Sequence, residues 1–321
     1  MIKLDGFTNK LQTFVAGISI IIGCRLCYFY RNVFTLINSD FDTINKITVV
    51  ILSRNHEKFI SDCLHSVHRE LPDARIVIAD TSSTKKCHEL GKSIVEALKL
   101  NTMHIKLKED TKTLSALKNL EKYISTKYIV LLSADDALGG NYRNALISLL
   151  KTDANSAVFN FTSVITDQNL KPLRSRRPQW SEQNKKNKRK LSYSNPGTAP
   201  GALIPWTVLS SSPAWKEPPA IVIEDYWIWW QLIDLVPFVN CYESNVLYRQ
   251  HLDNISKASK NEDYAYSLGY ATATPNIKAI NLFNKFLSLT LIFRWIRHLN
   301  FIVWCKFFAG YFEAKRKNHL L

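Results

Sequence analysis

The hydrophobic residues in the first half of the chain fall into short runs, separated by segments with helical spacing. Four runs, at 47–52, 75–80, 103–109 and 127–133, are rich in β-branched or other apolar residues and are predicted to be strands. Between them, apolar residues recur every three or four positions, which is typical of a helix packed on one face. The fourth run is almost entirely apolar, so we expect this strand to be buried on both faces. Strands that alternate with helices predict an α/β fold with a mostly parallel central sheet and flanking helices.

Polar side chains follow three of these strands. Ser53–Asn55 come after the first strand, Asp80–Ser83 after the second, and Asp135 and Asp136 after the fourth. Ligands of such sheets bind beyond the carboxyl ends of the strands, so we expect the three segments to meet in one crevice. Two adjacent carboxylates suit Mg²⁺ or Mn²⁺, and without a cation their repulsion would raise the pKa of one of them. A turn in which one Asp caps the following helix is the alternative explanation.

The glycine-rich motifs that commonly bind phosphate are absent from this sequence. The first strand is not followed by GxGxxG, and GxxxxGK[ST] occurs nowhere. A diphosphate bound at these strand ends would therefore need a metal ion to neutralise its charge.

Both ends of the chain are hydrophobic, but neither has the pattern of the central part. Residues 11–24 are uncharged and are followed by Arg25, so the run is shorter than the roughly 20 residues of a spanning helix. An amphipathic helix is predicted there, with a true span as the alternative. Residues 279–312 mix aromatic residues with Lys and Arg, which suits an anionic bilayer surface or a helical hairpin that caps the body. These patterns predict helical extensions at 1–46 and 257–321 around a central domain at 47–256.

Composition adds a strong positive charge and unpaired cysteines. The chain has 321 residues and a formal net charge of +15. Residues 171–190 contain nine basic residues and one acidic residue, which predicts either a solvated mobile loop or a flap near a phosphate-bearing ligand. The spacing of the cysteines suggests no disulfide framework or zinc site, so all are expected to be reduced thiols in a cytosolic compartment. The cysteines are Cys24, Cys27, Cys63, Cys87, Cys241 and Cys305.

Five segments resemble, in this order, motifs of the family-two glycosyltransferases, which have the GT-A fold. They are VVILSRN (49–55), IVIADTSST (76–84), YIVLLSADDAL (128–138), IEDYWIWWQL (223–232) and LYRQHLDNIS (247–256). One such motif carries little information, whereas five in the right order on the right elements point together to the family. The resemblance covers roughly residues 47–256 and implies a Rossmann-like GT-A sheet.

The resemblance also implies a reaction and the residues that perform it. A sugar would pass from a UDP- or GDP-sugar to an acceptor hydroxyl with inversion, and Mn²⁺ or Mg²⁺ would stabilise the charge developing on the diphosphate leaving group. The implied metal ligands are Asp135, Asp136 and His251. The implied contacts to the donor nucleotide are Asn55, Asp80, Thr81, Ser83 and Asp135. Asp225 is the expected general base, with Glu224 supporting it.

Two positions depart from the family pattern. Thr81 stands where a second carboxylate usually follows Asp80, which affects recognition of the donor base. Ser133 stands where many members have the first Asp of an Asp-x-Asp-Asp sequence, while the remaining Asp135-Asp136 pair is a variation found in the family.

The position of Asp225 has two explanations. The dipole at a helix N-terminus favours an ionised carboxylate, which is the form a general base requires. An Asp at this place is also an ordinary helix cap. The tryptophans that follow, including Trp227 and Trp230, are expected either to stack on an acceptor sugar or to lie in the core.

The acceptor and the location follow from the same resemblance and from the basic ends. Residues 168–200 correspond to the part of the family that faces the acceptor, and they are rich in Lys and Arg and lack periodicity. Together with basic amphipathic ends, they predict an acceptor carried on a lipid diphosphate, or another precursor of a bacterial polysaccharide such as capsule or O-antigen. The protein is then expected to be cytoplasmic and peripheral on the inner face of the cell membrane.

Other classes of function remain as alternatives. A nucleotidyltransferase of sugar phosphates also uses an α/β sheet and acidic metal ligands, but it usually has a glycine-rich signature near its first strand. A nucleic-acid-binding protein would use the net charge of +15, yet the basic residues concentrate in one segment and in the tail. We therefore expect no nucleic-acid partner. Retention of the two acidic pairs at 135–136 and 224–225 disfavours a non-catalytic member of the family.

Overall fold

The structure is a computed structural model. It describes residues 43–152, 156–191, 194–212, 215–216, 219, 223–252, 254, 261–272 and 301–318. The helix predicted near the N-terminus, the cysteines at 24 and 27, and most of the basic aromatic segment 279–312 lie outside these residues. From Asn45 onward the described residues belong to one compact unit.

One nine-stranded sheet runs through this unit, in the order β3-β2-β1-β4-β8-β6-β9-β5, with β7 paired to β6. The strands are β1 (Ile47–Ser53), β2 (Arg75–Asp80), β3 (Thr102–Lys106), β4 (Tyr128–Ser133), β5 (Ala137–Leu138), β6 (Val158–Thr166), β7 (Pro172–Arg176), β8 (Ala202–Pro205) and β9 (Phe238–Arg249). Helices cover the sheet, so the predicted α/β architecture is confirmed.

The four strands predicted from the sequence form one half of this sheet, and they are parallel. β1 pairs with β2 on one side and β4 on the other, and β2 pairs with β3. Val49, Val50 and Ile51 of β1 are fully buried, as an apolar strand between two neighbours requires. The registers place Ser53 beside Asp80 and Leu52 beside Ser133, so the polar ends of these strands share one edge.

The other half of the sheet has mixed strand directions. β8 is antiparallel to both β4 and β6, whereas β9 is parallel to β6 and antiparallel to β5. Asp135 and Asp136 form an acidic turn directly before β5. The pairing of β5 with β9 therefore brings this acidic turn close to the end of β9. The sequence analysis did not assign these strands.

The helices are α1 (Ile60–Glu70), α2 (Lys86–Ala97), α3 (Thr113–Leu120), α4 (Tyr142–Thr152), α5 (Asn184–Leu191), α6 (Trp206–Ser211), α7 (Glu224–Leu232), α8 (Asn261–Thr272) and α9 (Phe301–Asn318), with a 3₁₀ turn at Glu121–Tyr123. The first three match the helical spacing between the predicted strands. Of these, α1 buries Ile60, Cys63, Leu64 and Val67 on one face, as the periodicity predicted.

Tryptophans form much of the core beneath the mixed half of the sheet. Trp227, Trp229 and Trp230 of α7 are at most 2% exposed. Trp206 and Trp215 pack edge to face with their ring centroids 5.3 Å apart. Of the two explanations for the tryptophans of α7, the core explanation is therefore confirmed.

The basic segment at 171–190 is more regular than its sequence predicted. Pro172–Arg176 form strand β7, and Asn184–Leu191 form helix α5. The expectation of a loop without secondary structure is wrong, because strand pairing to β6 and a buried Leu191 and Asn187 fix this segment on the body. Its charge is carried on exposed faces of these elements.

The described C-terminal helices α8 and α9 pack closely on each other. A Cβ atom built on Gly269 would lie 2.0 Å from the carbonyl oxygen of Phe307, so only glycine permits this approach. On its open side α9 exposes Phe308 and Phe312, with 43% and 64% of their surfaces accessible. Among the residues that the structure describes, no helix is both long and apolar enough to cross a bilayer.

The cysteines agree with their predicted state as far as they are described. Cys63, Cys87 and Cys241 are buried, Cys305 is exposed, and all four are free thiols.

Candidate active site

The loops after β1 and β2 are tied together at the shared edge of the sheet. Asn55 has a positive φ of 57°, which Asn tolerates better than most residues. Its side-chain oxygen accepts a hydrogen bond from the backbone N–H of Ser83 at 2.9 Å, and its own N–H donates to the Ser82 hydroxyl at 2.8 Å. Asn55 and Ser83 are exposed, so both lie where a ligand above the strand ends could reach them.

The carboxylate of Asp80 is fully buried beneath this loop. One oxygen accepts a hydrogen bond from the backbone N–H of Ser82 at 2.8 Å. The other lies 3.4 Å from the Lys106 ammonium nitrogen and 3.5 Å from Nδ1 of His88. Thr81 is 5% exposed. Of the residues predicted to contact the nucleotide after β2, only Ser83 is thus open to solvent.

Two histidines that the sequence analysis did not single out lie beside Asp80. The rings of His88 and His104 have centroids 4.1 Å apart. Burial, reinforced by the charge of His88, lowers the pKa of His104 to about 4, and both ring nitrogens of His104 are buried without a hydrogen-bond partner. Asp80, His88 and His104 offer ligand atoms within 4.8 Å of one another, with the Lys106 ammonium beside them.

A second group of the same composition surrounds Asp135. The Oδ2 atom of Asp135 lies 2.9 Å from Nε2 of His251 and 3.8 Å from Nε2 of His56. The other oxygen, Oδ1, is buried and has no hydrogen-bond partner. One carboxylate and two imidazoles within 4.8 Å form a donor set that fits a divalent transition metal such as Mn²⁺. His56 follows the Asn55 turn directly, which is the signal in the sequence that could have identified it.

Electrostatics favour the metal-binding protonation states in this second group. Burial alone would raise the pKa of Asp135, but the charge of His56 and hydrogen bonds from Ser133 and His251 outweigh it, and the pKa is lowered. Burial lowers the pKa of His56, and the charge of Asp135 only partly opposes this. Ionised carboxylate and neutral imidazole are the forms that coordinate a metal.

Asp136 has a different environment from its neighbour. It is 1% exposed, and its Oδ1 accepts a hydrogen bond from the backbone N–H of Arg249 at 2.9 Å. Burial and the charge of Asp135 raise the pKa of Asp136 well above its usual value. Within the described part of the chain, Asp136 belongs to neither of the groups that could hold a metal. The metal role of Asp136 stays a prediction, while its observed contact is to β9.

Arg249 holds the acidic turn from the end of β9. This side chain is buried, and its Nε donates to the carbonyl oxygen of Asp135 at 2.7 Å. Its Nη2 donates to the carboxylate of Asp62 at 2.7 Å, and its guanidinium lies 4.6 Å from the ring centroid of Phe59. Arg249 therefore connects β9, the acidic turn and helix α1.

Asp225 lies at the start of α7 and opens on a cavity of about 650 Å³. Its Oδ2 accepts a hydrogen bond from the Asn195 amide at 2.7 Å, and its Oδ1 accepts one from the N–H of Tyr226. Burial raises the pKa of Asp225, against hydrogen bonds from Tyr226 and Asn195 and the charge of Arg176. The cap position is occupied by Ile223, without a side-chain cap, so Asp225 is not the N-cap residue, although its carboxylate accepts an N–H of the first turn.

Glu224 differs from Asp225 in its surroundings. Burial, together with the charge of Asp225, raises the pKa of Glu224 to about 7, while a hydrogen bond from Thr113 and the charge of Lys112 oppose the rise. The residues that line the cavity are Ser163, Ile165, Arg174, Ser175, Arg176, Arg177, Gln179, Thr198, Ala199, Pro200, Asp225, Tyr248 and Gln250. Glu224 is not one of them.

The end of β9 connects the cavity to the group around Asp135. Tyr248 and Gln250 line the cavity. Their sequence neighbours Arg249 and His251 contact Asp135 instead. The end of β9 therefore contributes side chains both to the cavity and to the group around Asp135.

Comparisons with known proteins identify the fold and the family. Residues 48–204 match the sequence profile of Glycosyl transferase family 2. A search of curated protein sequences found no significant match.

Solved structures have the same fold at low sequence identity. TarS 1–349 of S. aureus in complex with UDP-GlcNAc has a TM-score of 0.56 and 14% identity over 78% of this chain and 72% of its own. The mannosyltransferase PcManGT of Pyrobaculum calidifontis, in complex with GDP-Man and Mn²⁺, has a TM-score of 0.51 and 12% identity over 85% and 87%. GalNAc-T7 with UDP, GalNAc and Mn²⁺ has a TM-score of 0.51 and 16% identity over 78% and 55%. They show that this chain has the GT-A fold, and the profile match shows that residues 48–204 form a glycosyltransferase domain of family 2.

Proposed function

We propose that this enzyme transfers a sugar from a UDP- or GDP-sugar to an acceptor hydroxyl with inversion at the anomeric carbon. The observation that carries this proposal is that the cavity and the group around Asp135 adjoin at the end of β9. Gln250 lines the cavity into which Asp225 opens, and the next residue, His251, bonds to Asp135. A donor held at Asp135 and an acceptor held at Asp225 would therefore meet in adjoining spaces.

The residues that would hold a metal are Asp135, His251 and His56. The lowered pKa values of Asp135 and His56 and the unpartnered Oδ1 of Asp135 suit coordination by one carboxylate and two imidazoles. When bound, Mn²⁺ or Mg²⁺ would neutralise charge on the departing nucleoside diphosphate. Asp136 would keep the turn in place through its bond to the backbone of Arg249, in addition to the metal role predicted for it.

Asp225 is the proposed general base. Its ionised carboxylate would take the proton of the acceptor hydroxyl as that oxygen forms a bond to the anomeric carbon, and the carbon–oxygen bond to the diphosphate breaks on the opposite face. Asn195 orients the carboxylate through its hydrogen bond. Burial raises the pKa of Asp225, which makes it a better proton acceptor than an exposed Asp. Glu224, its neighbour at the start of α7, is proposed to support Asp225, and the charge of Asp225 contributes to raising the pKa of Glu224 to about 7.

Donor nucleotide contacts are proposed around the loops after β1 and β2. Asn55 and Ser83 are exposed there, and Lys106 has 36% of its side-chain surface accessible. Asp80 would act from beneath, because its carboxylate holds the N–H of Ser82 and faces the Lys106 ammonium. Thr81 would contribute through its bond to the Ser53 carbonyl, which joins the two loops.

The acceptor is proposed to be a lipid-linked glycan or another polysaccharide precursor, reached from an anionic membrane surface. The exposed Phe308 and Phe312 of α9, next to the basic residues Lys306 and Arg316, support the membrane contact. Flotation with anionic liposomes tests it. The wild type should float at moderate salt and F308S/F312S should not, whereas equal flotation of both would contradict the assignment.

The function is tested by assaying UDP- and GDP-sugars with and without Mn²⁺. We expect metal-dependent donor hydrolysis by the wild type, and a transfer product whose anomeric configuration, read by NMR, is opposite to that of the donor. Asp225→Asn should reduce turnover by roughly 100-fold or more and leave donor binding within a factor of about two, because only proton transfer is lost. Undiminished turnover of this variant, or release of pyrophosphate from a nucleoside triphosphate and a sugar phosphate, would favour the nucleotidyltransferase alternative.

A further inference from the structure

Three arginines line the cavity that contains Asp225, and the pairing of β7 places two of them on one face. Arg176 lies opposite Ser163 and Arg174 lies opposite Ile165 in the antiparallel β6–β7 pair. Side chains two residues apart in a strand point to the same side, and all four of these residues line the cavity. Arg177 lines it as well, with its guanidinium 5.8 Å from the ring centroid of Tyr242.

Within the described part of the chain, the positive charge of this cavity exceeds the negative charge that faces it. Asp225 is the one carboxylate among the lining residues, so three guanidiniums face one negative charge. Among the described residues, none of the three arginines forms an ion pair, and the Nη2 of Arg176 donates to the carbonyl oxygen of Asn195. By contrast, Lys188 on the neighbouring helix is paired with Asp234. Cations that lack a carboxylate partner beside a cavity suit an anionic ligand.

We propose that this cavity binds a phosphate group of the acceptor, with Arg174 and Arg176 as its principal contacts. The planar guanidinium presents a fork of N–H donors that matches phosphate oxygens in pairs. A phosphate held on the β7 side would leave the attached sugar between the arginines and Asp225. This inference rests on the proposed function, since it takes Asp225 as the group that meets the acceptor hydroxyl.

The charge balance favours phosphate over a carboxylate. Three arginines and Asp225 leave two positive charges in the cavity. A phosphate monoester or a diphosphate carries about two negative charges near neutral pH. A single carboxylate would leave one guanidinium without a counter-charge. The remaining polar lining consists of hydroxyl and amide groups, including Ser163 and Thr198, which suit the hydroxyls of a sugar.

The test is direct binding of phosphate-bearing probes while the donor site is occupied. Binding of glucose 1-phosphate is measured by titration calorimetry in the presence of saturating nucleoside diphosphate and Mn²⁺, with methyl glucoside as the neutral probe. The variant is Arg174→Gln with Arg176→Gln. Its matched control is Lys185→Gln with Lys186→Gln, which removes the same charge from exposed positions of α5 outside the cavity.

We expect glucose 1-phosphate to bind and methyl glucoside to bind at least 10-fold more weakly. The double arginine variant should lose 10-fold or more in affinity for the phosphate, and the lysine control should stay within twofold. A sugar linked to a short prenyl diphosphate forms a second arm. Tighter binding of this probe would assign a lipid diphosphate, and equal or weaker binding would assign a soluble phosphate ester.

Three results would overturn the proposal. These are equal binding of charged and neutral probes, full affinity in the double arginine variant, or competition by the nucleoside diphosphate, which would assign the arginines to the donor. Thermal unfolding and nucleotide binding are measured on the same samples. If no nucleotide binds to the wild type, the proposed function fails, and the phosphate titration still decides the ligand of the cavity.

Discussion

Two groups with the same composition lie on either side of β1, and they differ in what surrounds them. Asp80 with His88 and His104 stands at the end of β2, and Asp135 with His56 and His251 stands beyond the end of β4. Each combines one carboxylate with two imidazoles within 4.8 Å. Composition and distance alone would therefore assign a metal to both.

Their neighbours separate the two groups. The Lys106 ammonium lies 3.4 Å from the carboxylate of Asp80, and it would repel a cation placed there. Beside Asp135 the cation among the described residues is Arg249, whose guanidinium donates to the backbone carbonyl oxygen of Asp135 and to the carboxylate of Asp62, and Oδ1 of Asp135 is left without a partner. We infer that the group at Asp135 holds the metal, while the group at Asp80 serves the nucleotide. A ligand set has to be judged together with the charges next to it.

The largest expected effect comes from removing the carboxylate of the Asp135 group. Asp135→Asn should weaken Mn²⁺ binding by roughly 100-fold or more, because a charged ligand becomes a neutral amide. His104→Gln in the other group should change Mn²⁺ binding by less than about twofold. Calorimetric titration with Mn²⁺ measures both. Comparable losses of Mn²⁺ affinity in the two variants would contradict the assignment of the metal to the group at Asp135.

A smaller loss is expected for the histidines of the Asp135 group, in the order of their distances. His251→Gln should weaken Mn²⁺ binding by roughly 10- to 100-fold and His56→Gln by about 10-fold, because Nε2 of His251 is closer to Asp135. Electron paramagnetic resonance of bound Mn²⁺ reports the change of ligands independently of activity. His88→Gln is the matched control, and a spectrum altered by it would contradict the assignment.

Removing the Lys106 ammonium should allow the group at Asp80 to bind a metal ion, as the group at Asp135 is expected to do. Lys106→Met keeps the length of the side chain and removes its charge, so the group at Asp80 should gain affinity for Zn²⁺ by about 10-fold or more. The measurement is the stoichiometry of Zn²⁺ binding, with a second equivalent expected in the variant. An unchanged stoichiometry would show that geometry, and not charge, keeps the metal from this group.

The smallest expected effect is on stability at acid pH. The pKa of His104 is lowered to about 4 in the folded protein, so below the ordinary value of 6.5 the unfolded chain takes up a proton that the folded chain does not. This contribution to stability is present above pH 6.5 and is lost progressively as the pH falls toward 4. The melting temperature of His104→Gln should therefore fall less than that of the wild type across this window. An equal fall of the melting temperature in both proteins would mean that the pKa shift of His104 does not cause the loss of stability.

Much of the fold followed from local patterns in the sequence. The four parallel strands and the helices between them match runs of apolar residues whose periodicity depends only on neighbouring positions. Strand β7 and helix α5 did not, because their sequence is basic and polar, and pairing with β6 orders β7. The strands of the mixed half were not assigned from the sequence, although β6 is rich in β-branched and aromatic residues. Their partners and directions depend on long-range pairing, which a local pattern does not record.

For the site, the sequence alone determined the acidic residues, the family and the order of the motifs, because each is written in a short segment. Only the tertiary structure decided that neighbouring aspartates have opposite environments, with Asp135 facing two histidines and Asp136 bonded to the backbone of Arg249. It also brought Asn195 to Asp225 and the arginines of β7 to the same cavity. These contacts join residues far apart in the chain, so burial and charge at each side chain depend on strand pairing that no local pattern records.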